Sequence, residues 1–161
     1  MNFLVRLSAR LNKWTVWLAG GAMVLMMLLS VVNMILRAFS RPFGGTTEVV
    51  GWLAALTVAL ALGYTQMERG HVAIDLLVSR FSPRARALVD SLTSFISMFL
   101  SVLAARQLII HAGRLWERGS VSETLHVSFF PFAYAVAFGF LCLALALLVD
   151  GIKYLFEAVK K

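Results

Sequence analysis

Glu68, His71, Asp75 and Ser79 recur at intervals of three, four and four residues, a spacing that stacks four polar groups along one face of a helix. Val72, Ile74, Leu76, Leu77 and Val78 cover most of the remaining surface. The segment therefore predicts a short amphipathic helix lying in the membrane interface, with Gly70 weakening its junction to the preceding span. His71 and Asp75 stand one turn apart, so the carboxylate can pair with His71, with Arg69 or with a basic group on a partner chain. Two such ligands are too few for a zinc centre. The other two histidines, His111 and His126, lie at a span end and in a loop. A haem-binding membrane anchor needs axial histidines facing each other from within spans, and only His111 comes near one. The sequence has no G-x-S-x-G elbow, no H-E-x-x-H, no P-loop and no dinucleotide glycine pattern, so enzymatic chemistry has no motif to rest on. No catalytic, substrate-binding or metal-ligating residue and no cofactor is expected.

These residues sit in a chain of 161 residues that is 60% hydrophobic and 14% charged, where ordinary globular domains carry about 25% charged residues. A soluble domain of this length has too little interior to hide so much apolar surface. The expected class is an all-α integral membrane protein, with residues 1–161 forming a single four-helix domain. The formal charge of +7 comes from short basic clusters beside apolar runs, which points to anionic lipid headgroups rather than to nucleic acid. Cys142 is the single cysteine and lies inside an apolar run, where it reads as a small packing residue.

Four transmembrane helices are expected at about 14–36, 49–67, 87–105 and 129–149, each long enough for a hydrocarbon core of roughly 30 Å. The third holds Asp90 near its start and has Arg106 just past its end; both can snorkel toward headgroups. Thr46 or Thr47 can cap the second helix, with Glu48 in the first turn where the dipole favours a carboxylate. Ser82-Pro83 is a cap followed by proline at the first helical position. The first apolar run is too long for a signal-peptide core, so it predicts a retained helix. Basic residues number ten on the side of the termini and of the loop between the second and third spans, against five on the other side. The positive-inside rule then places both termini in the cytoplasm, with the loops around Arg37 to Glu48 and Arg106 to Ser128 outside.

The central parts of the first, second and fourth spans contain no ionisable group. Carriers that bind ions themselves usually keep one there despite a cost of about 2.5–3.5 kcal/mol. Ser30, Asn33, Thr57, Tyr64, Thr65, Gln66 and Tyr134 offer interhelical hydrogen bonds, and Gly20, Gly21, Gly63 and Gly139 permit close helix contact. A small multidrug-type exporter would carry its carboxylate within a span, whereas Asp90 sits at an edge.

Asn33 and Arg37 close the first span, Pro42 and Glu48 lead into the second, and Gly63 precedes Arg69-Gly70-His71 with Asp75, Leu76 and Leu77 following. In this order and spacing the chain resembles the small membrane subunit, the Q subunit, of tripartite ATP-independent periplasmic (TRAP) transporters. The resemblance implies a bacterial or archaeal cytoplasmic membrane and a sodium-driven system for carboxylate-bearing solutes. It also implies two partners: a periplasmic solute-binding protein and a large membrane transport subunit, for which this chain would be a scaffold. Expected partner or interfacial contacts are Arg37, Arg41, Glu48, Arg69, His71, Asp75, Arg114 and Arg118.

Overall fold

The computed structural model describes residues 2–40, 43–68 and 82–160. These form four helices: α1 (Asn2–Ala38), α2 (Thr46–Met67), α3 (Pro83–Glu117) and α4 (Phe130–Lys160). All four are long and apolar enough to cross a membrane. Among the described residues the extended backbone pairs once, between Val121 and Ser128 in the α3–α4 connection.

Three helices overrun the apolar segments that mark them. At 37 residues, α1 extends about 55 Å, well beyond a hydrocarbon core of roughly 30 Å. Hydropathy marks only the part that belongs in lipid, while Arg6, Arg10 and Lys13 continue the helix because long cationic side chains have good helix propensity. The start of α3 follows the sequence expectation, with Ser82 Oγ accepting from the Ala85 N–H at 3.4 Å. The start of α2 does not. Its N-cap is Gly45, without a side-chain cap, and the Thr46 hydroxyl instead donates backward to the Phe43 carbonyl at 2.8 Å.

Small residues at a 3.5-residue repeat decide how the helices meet. On α1 the buried stripe is Ser8, Asn12, Thr15 and Ala19; on α3 it is Ala87, Ser91, Ser94, Ser101, Ala105 and Ala112. Helices in lipid gain nothing from hiding apolar surface from one another, so close backbone approach across small side chains does the packing. Contacts with all three other helices make α4 the hub, and its buried residues run from Ala137 through Gly139, Cys142, Ala144 and Ala146 to Val149. At the α2–α4 crossing, a Cβ on Gly139 would collide with the backbone carbonyl of Ala59. Gly63 is equally constrained, because a Cβ there would strike Asn12 Oδ1. Gly20 and Gly21 depart from expectation: a Cβ on either would meet nothing within 4 Å, since both lie off the buried stripe of α1.

The polar residues of the spans split in the same way. The hydroxyls of Ser30 and Thr65 fold back onto the carbonyls four residues earlier, at 2.8 and 3.1 Å. Thr57 does so at 2.8 Å while also reaching the Ala19 carbonyl of α1 at 3.4 Å. Gln66 crosses fully, donating to Asp150 of α4 at 3.2 Å.

Candidate docking face at the loop end of the bundle

One end of the bundle carries both chain termini; the other carries the α1–α2 and α3–α4 connections. At this loop end a set of directional contacts ties the two connections together. Asn33, in the last turns of α1, accepts the Phe43 N–H at 2.9 Å through its side-chain oxygen, which fixes the chain as it turns toward α2. Glu48, in the first turn of α2, accepts two consecutive backbone N–H groups of the α3–α4 connection, Thr124 at 2.9 Å and Leu125 at 3.3 Å. A carboxylate has two oxygens and up to four acceptor sites, so it matches adjacent amides that no strand or helix satisfies. Leu125 then packs over Gly45, where a Cβ would lie 2.5 Å from its side chain.

The connection itself is a closed turn. Ser122 is buried; its N–H donates to the Val127 carbonyl at 2.9 Å, and its hydroxyl oxygen accepts the Val127 N–H at 3.3 Å. His126 donates to the Ser122 carbonyl at 3.2 Å and adopts φ 55°, a left-handed conformation that most side chains avoid. Aromatic contacts brace the helix ends below. Trp52 stacks on Phe132 with ring centroids 4.7 Å apart and meets Phe129 edge-on at 5.9 Å. Trp116 meets Phe130 edge-on at 4.5 Å. Trp52 and Trp116 therefore contribute to lateral packing between the helix ends.

Among the expected contact residues that are described, Glu48 has a defined partner within the chain, 76 residues away at Thr124. Arg37, Arg114 and Arg118 are exposed on the helix ends at this face, and none forms an ion pair among the described residues. Arg41 lies outside the described residues. So do Arg69, His71, Asp75 and Ser79, while Glu68, the first residue of the polar stripe, is exposed at the end of α2. His111 is exposed on α3 near this end, and His126 sits in the tied turn.

The terminal end holds a polar layer that sequence reasoning passed over. Asn12 is fully buried. Its Nδ2 donates to the Ser8 carbonyl at 2.9 Å and to the Cys142 carbonyl at 3.5 Å. Two carbonyl acceptors fix which end of the amide is nitrogen, leaving Oδ1 without a hydrogen-bond partner among the described residues in the space a side chain at Gly63 would need. Nearby, Asp150 takes the Gln66 amide and pairs with Lys153 at 3.4 Å, while Ser91 of α3 donates to the Gly151 carbonyl at 3.0 Å. The readable signal for Asn12 was its register: Ser8, Asn12, Thr15 and Ala19 continue the repeat of Ala22, Met26, Leu29 and Asn33. Its position between Arg10 and Lys13 disguised it as a solvated flank.

The arrangement offers contact surfaces at the loop end of the bundle. Residues 26–156 match the family model described as tripartite ATP-independent periplasmic transporters, DctQ component. Comparison with curated proteins finds no match, and neither does comparison with solved structures. The family is one of transporter subunits rather than enzymes, and it implies partnership with a large DctM membrane subunit and a solute-binding protein. Four apolar helices of suitable length and a family match over most of the chain lead to one conclusion: the protein belongs to the DctQ family of small membrane subunits of TRAP transporters.

Proposed function

We propose that the chain is the scaffold subunit of a sodium-driven carboxylate transporter in a bacterial or archaeal cytoplasmic membrane, with both termini in the cytoplasm and the loop end facing the periplasm. The observation that carries this reading is the pairing of a charge-free span interior with wide apolar faces. On α1, Met23, Val24, Met27, Leu28 and Val31 are all exposed, and on α3 so are Leu92, Ile96, Phe99 and Leu100. A subunit that bound solute or sodium itself would instead place polar groups at mid-depth. The large subunit docks on part of this apolar surface and moves solute against a wall that stays fixed. At the loop end, Arg37, Arg41, Arg114 and Arg118 receive the solute-binding protein, with the Glu48 latch holding the connections in place. The polar stripe that includes His71 and Asp75, with Arg69 beside it, seats the connection between α2 and α3 on the large subunit, next to anionic lipid.

Reconstitution tests this directly. The chain alone in liposomes should insert and transport nothing, whereas the chain with its large subunit and binding protein should take up a carboxylate solute when a sodium gradient is imposed. Sodium-driven uptake by the chain alone, or full uptake by the large subunit and binding protein without it, would overturn the scaffold role.

A further inference from the structure

The face of α1 opposite its buried stripe changes character in three steps along the helix. Arg10 and Lys13 come first, exposed and without an ion pair among the described residues. Trp14 and Trp17 follow, each 73% exposed. Then come Gly20 and Gly21, beside which there is open space. Intervals of three and four residues keep Arg10, Lys13, Trp17 and Gly20 on one side of the helix. Lys13, Trp14 and Trp17 line an open hollow on this face.

We propose that this face is a binding site for one anionic phospholipid. The two cations lie before the apolar run, at headgroup depth, and meet the phosphate and the acidic headgroup; their charge is complementary to it and has no carboxylate partner among the described residues. The indoles flank the glycerol backbone, where an aromatic ring with one polar edge is most at home. The paired glycines remove side chains from the next turn, so an acyl chain can lie directly against the helix backbone. A protein helix is a poorer occupant. Close helix crossings use small residues four apart, but Gly20 and Gly21 are adjacent, and the positions four before and four after Gly20 are Val16 and Val24. The site depends only on the depth sequence of α1, so it goes beyond the scaffold reading and does not rest on it.

Native mass spectrometry of the full chain, extracted from bilayers of phosphatidylglycerol and phosphatidylcholine, reads the site. The wild type should retain one phosphatidylglycerol in preference to phosphatidylcholine. Arg10→Gln and Lys13→Gln should each lower that preference about fivefold, from the roughly 1 kcal/mol that one basic residue contributes at an anionic surface. Gly20→Leu should reduce lipid retention while leaving the melting temperature unchanged or higher, because its side chain enters open space and leucine is the better helix former. Glycerol phosphate, a headgroup without tails, should not displace the lipid. Equal retention of the two lipids, or no loss in the Arg10→Gln/Lys13→Gln variant, would overturn the proposal. Displacement by glycerol phosphate would show a phosphate site without an acyl groove and would equally refute it. So would a Gly20→Leu variant that keeps its lipid yet fails to copurify with the large subunit, since the face would then belong to a protein partner.

Discussion

Replacing Gly63 by alanine adds one methyl group at the point where α1, α2 and α4 meet, and its effect should depend on a single other side chain. The new Cβ would occupy the place of Asn12 Oδ1, with the Cys142 carbonyl carbon 3.2 Å away. The amide can yield only by leaving its rotamer and giving up its bonds to the Ser8 and Cys142 carbonyls. Overpacking of a filled site typically costs about 1–3 kcal/mol, and this outweighs the roughly 1 kcal/mol that alanine gains over glycine in helix propensity. Gly63→Ala alone should therefore destabilise. Asn12→Ala alone removes the amide's three hydrogen bonds, to the Ser8 carbonyl and hydroxyl and the Cys142 carbonyl, each worth about 0.5–1.5 kcal/mol at most and sharing two N–H groups, but also removes an unsatisfied buried oxygen, which offsets part of that cost. In the double variant the obstruction is gone and the propensity gain remains. A double-mutant cycle should then show rescue, with a coupling of about 1–3 kcal/mol. Reversible unfolding in mixed micelles, followed by circular dichroism, measures all four corners. Gly139→Ala is the control, because its Cβ meets the backbone of Ala59, which no side-chain change can move; it should destabilise and remain so with Ala59→Gly. A neutral Gly63→Ala, or no rescue by Asn12→Ala, would refute the packing assigned to this junction.

Glu48→Gln keeps an acceptor but loses the charge and one of the two oxygens, so the amides of Thr124 and Leu125 should exchange with deuterium faster while those in the middle of α2 do not; unchanged exchange would deny the latch. Charge reversal at Arg41 and Arg114 together should weaken uptake by the assembled transporter and alter its dependence on ionic strength, with the membrane subunits still associated, because interface charges act mainly on encounter; uptake kinetics identical to wild type across several salt concentrations would remove these residues from the docking face. Asp75→Ala should lower the yield and thermal stability of the complex with the large subunit more than Ser79→Ala does. An isolated surface ion pair contributes only about 0–1 kcal/mol, so a strong effect identifies a partly buried site, and wild-type behaviour identifies a solvated face.

The membrane class and the four spans were legible because the burial rule in lipid is written in composition: long uncharged runs leave few alternatives. The Ser82-Pro83 start of α3 was legible for a local reason, since both residues act on the turn beside them. Gly63 and Gly139 were read correctly as close-approach positions, whereas Gly20 and Gly21 were not, because a glycine's meaning depends on the register of its face and not on its identity. Glu48 was recognised as belonging to the first turn of α2, yet its function as an acceptor for Thr124 and Leu125 depends on a loop that no local pattern connects to it. Asn12 and Asp150 were missed because each lies at the margin of an apolar run, where a polar residue is ordinarily a solvated one. Both are instead held across helices, Asn12 by Cys142 and Asp150 by Gln66.

The bond from Glu48 to the turn at Thr124 and Leu125 also imposes an order on biogenesis. Chains are made from the N-terminus, so α1 and α2 can enter the membrane as a hairpin while residues 118–129 do not yet exist. During that interval the Glu48 carboxylate stands at the loop end without its two amides. It finds its two amides when the second hairpin delivers the turn to the same side of the bilayer. Closure of this one contact therefore reports that the third crossing has brought its loop to the side on which Glu48 lies. A chain in which the second hairpin failed to insert, or went in inverted, would keep its helices and its apolar surface yet leave Glu48 without the amides of Thr124 and Leu125, and that unlatched end is a feature by which a misinserted subunit differs from a finished one.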